Sequence, residues 1–147
     1  MATLERRPRT AAELRQVLAA RGFDDAIVDS VVERMLRAGF VDDRALAVQY
    51  LVSRAERLGH APSRLVAELR ARGVPAAVLH DAEREAREVH GIDARDILRR
   101  EVERRGAAGS SDPARIRRAY QALLRAGHEP DDIRAVLSGE GACEIEP

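Results

Sequence analysis

The stretch His60-Ala-Pro-Ser-Arg-Leu-Val-Ala-Glu-Leu-Arg-Ala-Arg-Gly-Val74 contains the signals of one short amphipathic helix with both ends marked. Pro62 suits the first helical turn, where its missing N–H leaves no hydrogen bond unmade. Leu65 and Leu69 are four residues apart and therefore lie on one face of the helix. Gly73 can adopt the positive φ that ends a helix. The stretch is therefore predicted to be a capped helix with one buried face.

The same pattern recurs on both sides of this stretch. Leu14, Leu18 and Gly22 repeat the two leucines and the closing glycine, and a weaker copy ends at Gly127. Recurrence of a helical unit along a chain is typical of repeat proteins. We therefore divide the chain into a flexible basic lead, a first unit that lacks its first helix, two complete three-helix units and an acidic disordered tail. Their boundaries are 1–9, 10–40, 41–90, 91–138 and 139–147.

Capping residues, prolines and glycines mark eight helices. Thr10 and Glu13 form a capping-box pattern, and the pair Asp42-Asp43 suits another helix start. Apolar residues between these marks keep helical spacing, and no useful stretch alternates as a strand would. The sequence predicts an all-α fold in which tandem three-helix repeats form an elongated, curved array. The predicted helices end near Gly22, Gly39, Gly59, Gly73, Val89, Gly106, Gly127 and Leu137.

Charge is balanced over the whole chain but unevenly distributed along it. The chain has 25 basic residues, all of them arginine, and 25 acidic residues. Residues 90–125 contain nine arginines and five acids, whereas residues 126–147 contain one arginine and six acids. A basic region followed by an acidic tail can bind an anionic partner with the tail as competitor, or the two can pair as a solvated surface.

Signals of secretion and membrane insertion are missing from the sequence. Cys143 is the single cysteine, so a disulfide framework cannot form within one chain, which indicates a reducing compartment. The sequence has no N-terminal apolar run of signal-peptide length and no stretch long enough to span a bilayer. We expect a soluble, cytoplasmic protein.

The arrangement of polar residues does not indicate catalysis. His60, His80, His90 and His128 are separated by whole helices, lack the spacing of metal ligands, and are expected at the surface or at helix ends. Ser110-Ser111 lacks the glycine-elbow context of a nucleophile, and no Gly-x-x-x-x-Gly-Lys phosphate loop occurs. Carboxylate pairs at helix starts are explained by capping. We therefore expect no catalytic residue, no metal and no cofactor.

The helix predicted at 113–126 is the best candidate for a binding surface. Its apolar stripe includes Ile116 and Leu123, and arginines occupy the rest of its surface without any acid. The guanidinium group of arginine binds phosphate or carboxylate with two hydrogen bonds. Charge and expected exposure give eight candidate contacts, which are Arg21, Arg72, Arg95, Arg99, Arg104, Arg115, Arg117 and Arg118.

The four aromatic residues bear on whether nucleic acid is bound. Phe23, Phe40, Tyr50 and Tyr120 all have positions that predict burial, so stacking on single-stranded bases is not supported. Electrostatic contact with DNA that does not depend on base sequence requires only arginine and stays open as a weak contact.

Four groups of residues carry a resemblance to a known family. They are Gly39-Phe-Val-Asp-Asp43, Pro62-Ser-Arg-Leu-Val-Ala-Glu-Leu69 with Arg72-Gly-Val74, Glu13-Leu14 ahead of Leu18, and Arg115-Ile-Arg-Arg118. Together they resemble the RecX family, bacterial regulators of the RecA recombinase, over residues 10–137. The chain departs from the family pattern at Leu46, His60-Ala61 and His128, where aromatic residues or an aromatic-glycine pair are usual.

The resemblance implies a partner and a mode of action. Members of the family lie along the groove of a RecA–DNA filament and touch protein on both sides. We therefore expect a monomeric, non-enzymatic inhibitor of RecA that bridges adjacent protomers and restrains ATP turnover and strand exchange. Two alternatives stay open. One is a sequence-independent DNA-binding helical module, which predicts tight and steeply salt-dependent binding to naked DNA. The other is a helical scaffold for an unrelated protein.

Overall fold

The computed structural model describes residues 7–139 of the chain. These residues form eight α-helices and contain no strand. The predicted all-α fold of tandem three-helix repeats is confirmed. The helices are α1 (Ala11–Ala20), α2 (Asp25–Arg37), α3 (Asp43–Leu58), α4 (Pro62–Ala71), α5 (Ala76–Glu88), α6 (Ala94–Arg104), α7 (Pro113–Arg125) and α8 (Pro130–Ser138).

Side chains at helix N-termini satisfy backbone N–H groups that have no partner within their helix. The Thr10 hydroxyl accepts the Glu13 N–H at 3.1 Å and the Glu13 carboxylate accepts the Thr10 N–H at 3.1 Å, so the predicted capping box is present. Asp42 caps α3, as predicted. Its neighbour Asp43 instead accepts the Ala11 N–H of α1 at 2.9 Å. A cap of this kind contributes about 1 kcal/mol.

Helix packing divides the eight helices into three units. Unit 1 contains α1 and α2, unit 2 contains α3, α4 and α5, and unit 3 contains α6, α7 and α8. Among the described residues, every extensive helix–helix contact lies within one of these units. Unit 2 has the largest core, in which Leu51, Leu65, Leu69 and Leu79 are almost completely buried. Burial of each such leucine contributes about 1.5–3 kcal/mol.

Residues at the start of a unit enter the core of the unit before it. Val41, which precedes α3, belongs to the apolar cluster of unit 1 together with Val28 and Val32. Ile92 and Ile97, at the start of unit 3, belong to the core of unit 2. Consecutive units therefore share apolar residues, and this sharing stabilises neighbouring repeats.

The helices α1, α4 and α7, each closed by a glycine with positive φ, form a second link between units. At the contact that we call joint 1, the N-terminus of α1 lies against the C-terminus of α4. The Thr10 hydroxyl donates to the Arg72 carbonyl at 2.8 Å, and Arg72 Nε donates to the Glu13 carboxylate at 2.6 Å. A Cβ atom at Gly73 would lie 2.4 Å from the Cβ of Ala12, so the two helices are in close contact.

The contact between α4 and α7, joint 2, repeats this arrangement. The Ala61 N–H donates to the Ala126 carbonyl at 3.0 Å, and the Arg64 guanidinium donates to a carbonyl at the end of α7. A Cβ atom at Gly127 would lie 2.6 Å from the Cβ of Arg64. Counted back from Gly22 and Gly73, Ala61 takes the position of Thr10 and Arg64 takes that of Glu13, which is one residue beyond Ala12. The two joints are therefore copies of one contact.

Two aromatic side chains that were expected in the core are exposed. Phe23 is 50% exposed and Phe40 is 78% exposed. In unit 2, the residue equivalent to Phe23 is Val74, and it is buried in the core of that unit. Unit 1 has no helix among the described residues in the place of α3, so the equivalent surface stays open. Tyr50 and Tyr120 pack partly against the cores of units 2 and 3.

The ends of the chain lie largely outside this description. The predicted lead at 1–9 is described only from residue 7, and the predicted acidic tail at 139–147, with Cys143, lies outside the described residues except for residue 139. Between residues 7 and 139, none of the helices is both long and apolar enough to cross a membrane.

Candidate anion-binding groove

Four arginines line one groove where the end of α6 meets the start of α7. The groove has a volume of about 540 Å³. We call it the basic groove, and the arginines that line it are Arg104, Arg105, Arg115 and Arg118, around Gly106. All four arginine residues are solvent-exposed.

The turn between α6 and α7 brings these arginines together. The end of α6 carries two of them, and Gly106 follows with a φ of +62° that reverses the chain. Residues 107–112 then lead into α7. Arg115 and Arg118 are about one turn apart on α7, and Arg115 Nη1 lies 3.5 Å from the Gly106 carbonyl. The helix ends therefore place two arginines on each side of the groove.

The basic groove contains more positive charge than its nearest acid neutralises. The Glu101 side chain is buried beneath it, and its carboxylate lies 3.4 Å from Arg104 and 3.7 Å from Arg105. Among the described residues, Arg115 and Arg118 form no ion pair. One carboxylate against four guanidinium groups leaves three positive charges in excess.

This excess charge suits an anion that presents several oxygen atoms. An arginine donates two parallel hydrogen bonds to a phosphate or carboxylate, and such charge-assisted bonds are shorter and stronger than neutral ones. Because the side chains are exposed, water and salt weaken each contact. The groove can therefore bind phosphate or carboxylate groups through several contacts acting together.

Three of the eight predicted contacts, Arg104, Arg115 and Arg118, lie in the basic groove. Arg117 does not, because it lies on another side of α7, where it lines an apolar depression with Tyr120 and Arg134. The arginine surface predicted around α7 is thus divided into two parts.

Arg95 and Arg99 lie on a different face of α6. Arg99 lines a depression with Glu56 and Glu103, and its guanidinium lies 3.7 Å from the Asp96 carboxylate. Arg95 is exposed one turn earlier on the helix. Acidic side chains alternate with arginines here, so this face is less positive than the basic groove.

Arg72 was predicted to be a contact because it was expected to be exposed, but the structure buries most of its side chain. Its side chain is only 13% exposed and donates hydrogen bonds to Glu13 and to the Pro8 carbonyl. The hydrogen bond from Arg72 lowers the pKa of the Glu13 carboxyl, and the same bond raises the pKa of Arg72. Arg72 therefore holds joint 1 together. Arg21, at the equivalent position in unit 1, is exposed.

Sequence reasoning missed two features of this region. Arg105 belongs to the basic groove although it was not among the predicted contacts, and its place directly before the glycine that reverses the chain was the available signal. His128, three residues after the last residue of α7, is buried, and its Nε2 lies 2.8 Å from the Gly59 carbonyl oxygen. Because a carbonyl oxygen only accepts, Nε2 carries the proton.

Comparison with known proteins identifies the family. Residues 1–35 match the family model described as the first three-helix domain of RecX, and residues 42–82 match that of the second. The regulatory protein RecX of Halorhodospira halophila is 36% identical over 135 residues, which cover 92% of this chain and 81% of that protein. The regulatory protein RecX of Mycobacterium leprae is 35% identical over 155 residues, which cover 97% and 84%.

Solved structures agree with this fold. The crystal structure of RecX from Lactobacillus salivarius matches with a TM-score of 0.70 at 15% identity, over 95% of this chain and 90% of that one. A second crystal structure of a regulatory protein RecX matches with a TM-score of 0.65 at 16% identity, over 90% and 65%. At such low identity these structures show the fold, whereas the family models and the relatives above one-third identity show descent. The chain belongs to the RecX family of regulatory proteins.

Proposed function

We propose that this chain is a non-enzymatic inhibitor of the RecA recombinase that binds along the groove of a RecA–DNA filament. The observation that carries the proposal is the basic groove, which presents three excess positive charges on a chain of jointed units. A nucleoprotein filament offers both binding partners that such a groove suits, acidic protein side chains and DNA phosphates. Membership of a family of regulatory proteins supports a regulatory role.

The jointed array supports a bridging mechanism. Joint 1 and joint 2 fix each unit against the next, so that separate units can contact neighbouring RecA protomers at a set distance. A ligand that binds one arrangement of protomers more tightly than another shifts the population toward that arrangement. Bridging would in this way oppose the changes between protomers that accompany ATP turnover and strand exchange.

The assignment of contacts follows from the geometry of the arginines. Arg104, Arg115 and Arg118, joined by Arg105, are the main contacts because they share one groove. The exposed Arg21, Arg95, Arg99 and Arg117 stay secondary candidates. Arg72 is assigned to joint 1.

The test is DNA-dependent ATP hydrolysis by the RecA protein of the same organism, titrated with this chain. The wild-type chain should suppress hydrolysis below one molecule per RecA protomer. The double variant Arg115→Ala/Arg118→Ala should require about tenfold more protein for the same suppression, because two charge-assisted contacts together are worth roughly 1.4 kcal/mol. The matched control, Arg57→Ala/Arg70→Ala, removes the same charge from exposed positions that are not candidate contacts and should change little.

Two results would contradict the proposal at different levels. If the wild-type chain neither suppresses hydrolysis nor sediments with the filament, the partner is wrong. If the two double variants weaken suppression equally, the partner stands and the assignment to the basic groove is wrong.

The basic groove also favours a second candidate, a DNA-binding module that needs no RecA. Binding to naked duplex DNA at several salt concentrations separates the two. A DNA-binding module would bind tightly, and the Arg115→Ala/Arg118→Ala variant would reduce the slope of log K against log salt by about two, because each phosphate contact contributes about 0.9. The net charge of zero argues for weak binding to naked DNA. A helical scaffold for another protein would leave both assays unchanged.

We infer that the chain acts as a cytoplasmic monomer without a cofactor. Within residues 7–139, no group of three or more histidine, cysteine, aspartate or glutamate side chains is placed to hold a metal ion. Light scattering of the purified chain measures its oligomeric state directly. A stable dimer at micromolar concentration would require the bridging mechanism to be redrawn with two chains.

A further inference from the structure

One face of α2 is apolar and uncovered. Phe23, just ahead of α2, and Ile27 are each 50% exposed, and Val31 is 38% exposed. Successive members of this set are four residues apart, so they form a continuous line along the helix. We call these three residues the α2 stripe. Adjacent exposed apolar side chains mark interaction sites, whereas scattered ones do not.

Unit 2 shows what covers the equivalent stripe. Counted on from the glycines that close α1 and α4, the corresponding positions in unit 2 are Val74, Val78 and Ala82. Val74 and Ala82 are buried, and Val78 packs against the same core. The most extensive helix contact among the described residues is that of α3 with α5. The α2 stripe is therefore the surface that a first helix covers in a complete unit.

The described helices leave no occupant for this surface. Helices α3 to α8 pack their apolar sides within units 2 and 3, and α1 already packs on the other side of α2. An occupant therefore comes from outside residues 7–139.

The charge beside the stripe is reversed between the two units. In unit 2, Glu85 of α5 accepts a hydrogen bond from Arg44 Nε of α3 at 2.9 Å, and Arg44 Nη2 lies 2.9 Å from the same carboxylate oxygen. The position of Glu85 is taken in unit 1 by Arg34, one turn beyond Val31. Among the described residues, the Arg34 guanidinium forms no ion pair. A helix that docks on α2 as α3 docks on α5 would need a carboxylate in the place of Arg44.

We propose that the α2 stripe binds an amphipathic helix of a partner protein, with a carboxylate of that helix paired to Arg34. The apolar side of the helix covers the stripe and completes the first unit in the way that α3 completes the second. The reversed charge selects an acidic helix and disfavours a basic one such as α3 itself. This site lies in unit 1, apart from the basic groove in unit 3, and its test does not require RecA.

The test uses two labelled peptides with the sequence of α3, residues 43–58, each held helical by a lactam bridge on its solvent-facing side. The acidic peptide carries Arg44→Glu, and the matched basic peptide retains Arg44. Fluorescence anisotropy, with the full chain as titrant, measures the affinity of both. The acidic peptide should bind about threefold more tightly than the basic peptide, because an exposed ion pair is worth up to about 1 kcal/mol.

Two variants of the chain locate the site. Ile27→Asp should weaken binding of the acidic peptide by at least about tenfold, because it places a charge in the apolar stripe. Val89→Asp makes the same change at another exposed apolar residue, at the end of α5, and should leave the affinity unchanged. A third variant, Arg34→Glu, should reverse the preference, so that the basic peptide binds more tightly. Circular dichroism checks that each variant keeps its helices.

Several results would overturn the proposal. They are a failure of both peptides to give saturable binding, an equal loss in the Ile27→Asp and Val89→Asp variants, and a preference that Arg34→Glu leaves unreversed. A dimer of the wild-type chain that Ile27→Asp converts to a monomer would also overturn it, because a second copy would then cover the stripe.

Discussion

Joint 1 and joint 2 hold equivalent positions together by different chemistry. Joint 1 depends on side chains, above all the ion pair between Glu13 and Arg72. Joint 2 has no ion pair among the described residues: the Ala61 N–H and the Arg64 guanidinium donate to backbone carbonyls at the end of α7, and another helix lies close to Gly127. The geometry of the repeat is thus retained although the residues that produce it have changed. Both joints pack a helix-closing glycine against another helix and should respond to added volume, whereas only joint 1 contains an ion pair and should respond to pH.

The two joints are connected through unit 2. The Arg72 guanidinium lies 5.8 Å from the centre of the Tyr50 ring, and the Tyr50 hydroxyl donates to the Glu68 carboxylate at 2.5 Å. Glu68 also accepts from Arg64 at 2.9 Å, and Arg64 donates across joint 2. Residues that share a hydrogen-bond network are not independent in their effects on stability. Changes at the two joints should therefore be compared one at a time before they are combined.

A methyl group added at joint 2 should cause the largest loss in the free energy of unfolding among these variants. In Gly127→Ala the new Cβ would lie 2.6 Å from the Cβ of Arg64, and the backbone φ is +93°. The left-handed backbone costs about 1 kcal/mol, and overpacking adds about 1–3 kcal/mol. We therefore expect the free energy of unfolding to fall by about 2–4 kcal/mol in urea titrations followed by circular dichroism.

Gly22 provides the matched control for this substitution. It closes α1 at the equivalent position with a φ of +88°, and a Cβ there would have no atom within 4 Å. Gly22→Ala should therefore cost only the backbone strain of about 1 kcal/mol. Equal losses in the two variants would show that Arg64 moves aside and that joint 2 is not tightly packed.

Removal of the arginine at joint 1 should reduce the free energy of unfolding by less than Gly127→Ala does. Arg72→Ala leaves the partly buried Glu13 carboxylate without its main partner, which should reduce the free energy of unfolding by about 1–3 kcal/mol. Arg84→Ala breaks an exposed ion pair with Asp81 and should cost less than about 1 kcal/mol. Hydrogen exchange should also quicken in α1 more than in α7. A uniform increase across all three units would mean that joint 1 does not hold unit 1 separately.

Local signals explain why the helices were predictable from the sequence. A proline such as Pro62 or a capping box such as Thr10 with Glu13 acts on residues within one turn, so the sequence contains the whole interaction. The glycine that closes each of α1, α4 and α7 also acts on residues within one turn. All eight helices therefore lie where the capping residues and glycines predict them.

Contacts between distant residues explain what the sequence did not reveal. The bond from Arg72 to Glu13 spans 59 residues, and no local pattern distinguishes Arg72 from an exposed arginine. Arg117 and Arg118 are neighbours in sequence but lie on different sides of α7, and which side meets α6 depends on the angle between the helices. Phe23 was predicted to be buried, but its burial requires a helix that unit 1 lacks among the described residues.

Acid should loosen joint 1 and leave joint 2 largely intact. The hydrogen bond from Arg72 outweighs the effect of burial and lowers the pKa of Glu13 below its ordinary value of 4.5. A carboxyl whose pKa is lower in the folded than in the unfolded state stabilises the fold above its unfolded pKa, and this contribution is lost as the pH falls through the folded value. Between about pH 5.5 and 3, the free energy of unfolding should therefore fall more in the wild-type chain than in the Glu13→Gln variant. The difference between the two chains should be smaller than the loss expected for Arg72→Ala.

Glu68 and His60 also titrate, and the comparison of the wild-type chain with Glu13→Gln separates their effects on stability from that of Glu13. Burial raises the pKa of Glu68, but hydrogen bonds from Tyr50 and Arg64 outweigh it and lower that pKa overall. The effect of Glu68 on the pH dependence of stability is the same in the wild-type chain and in Glu13→Gln, so it cancels in their difference. Burial lowers the pKa of His60, so its contribution is lost as the pH falls below 6.5 and is also common to both. The hydrogen bonds across joint 2 are accepted by backbone carbonyls and not by a carboxylate. Amide exchange at about pH 3.5 should therefore quicken in α1 before α7, and the reverse order would show that joint 1 does not depend on the ionised Glu13.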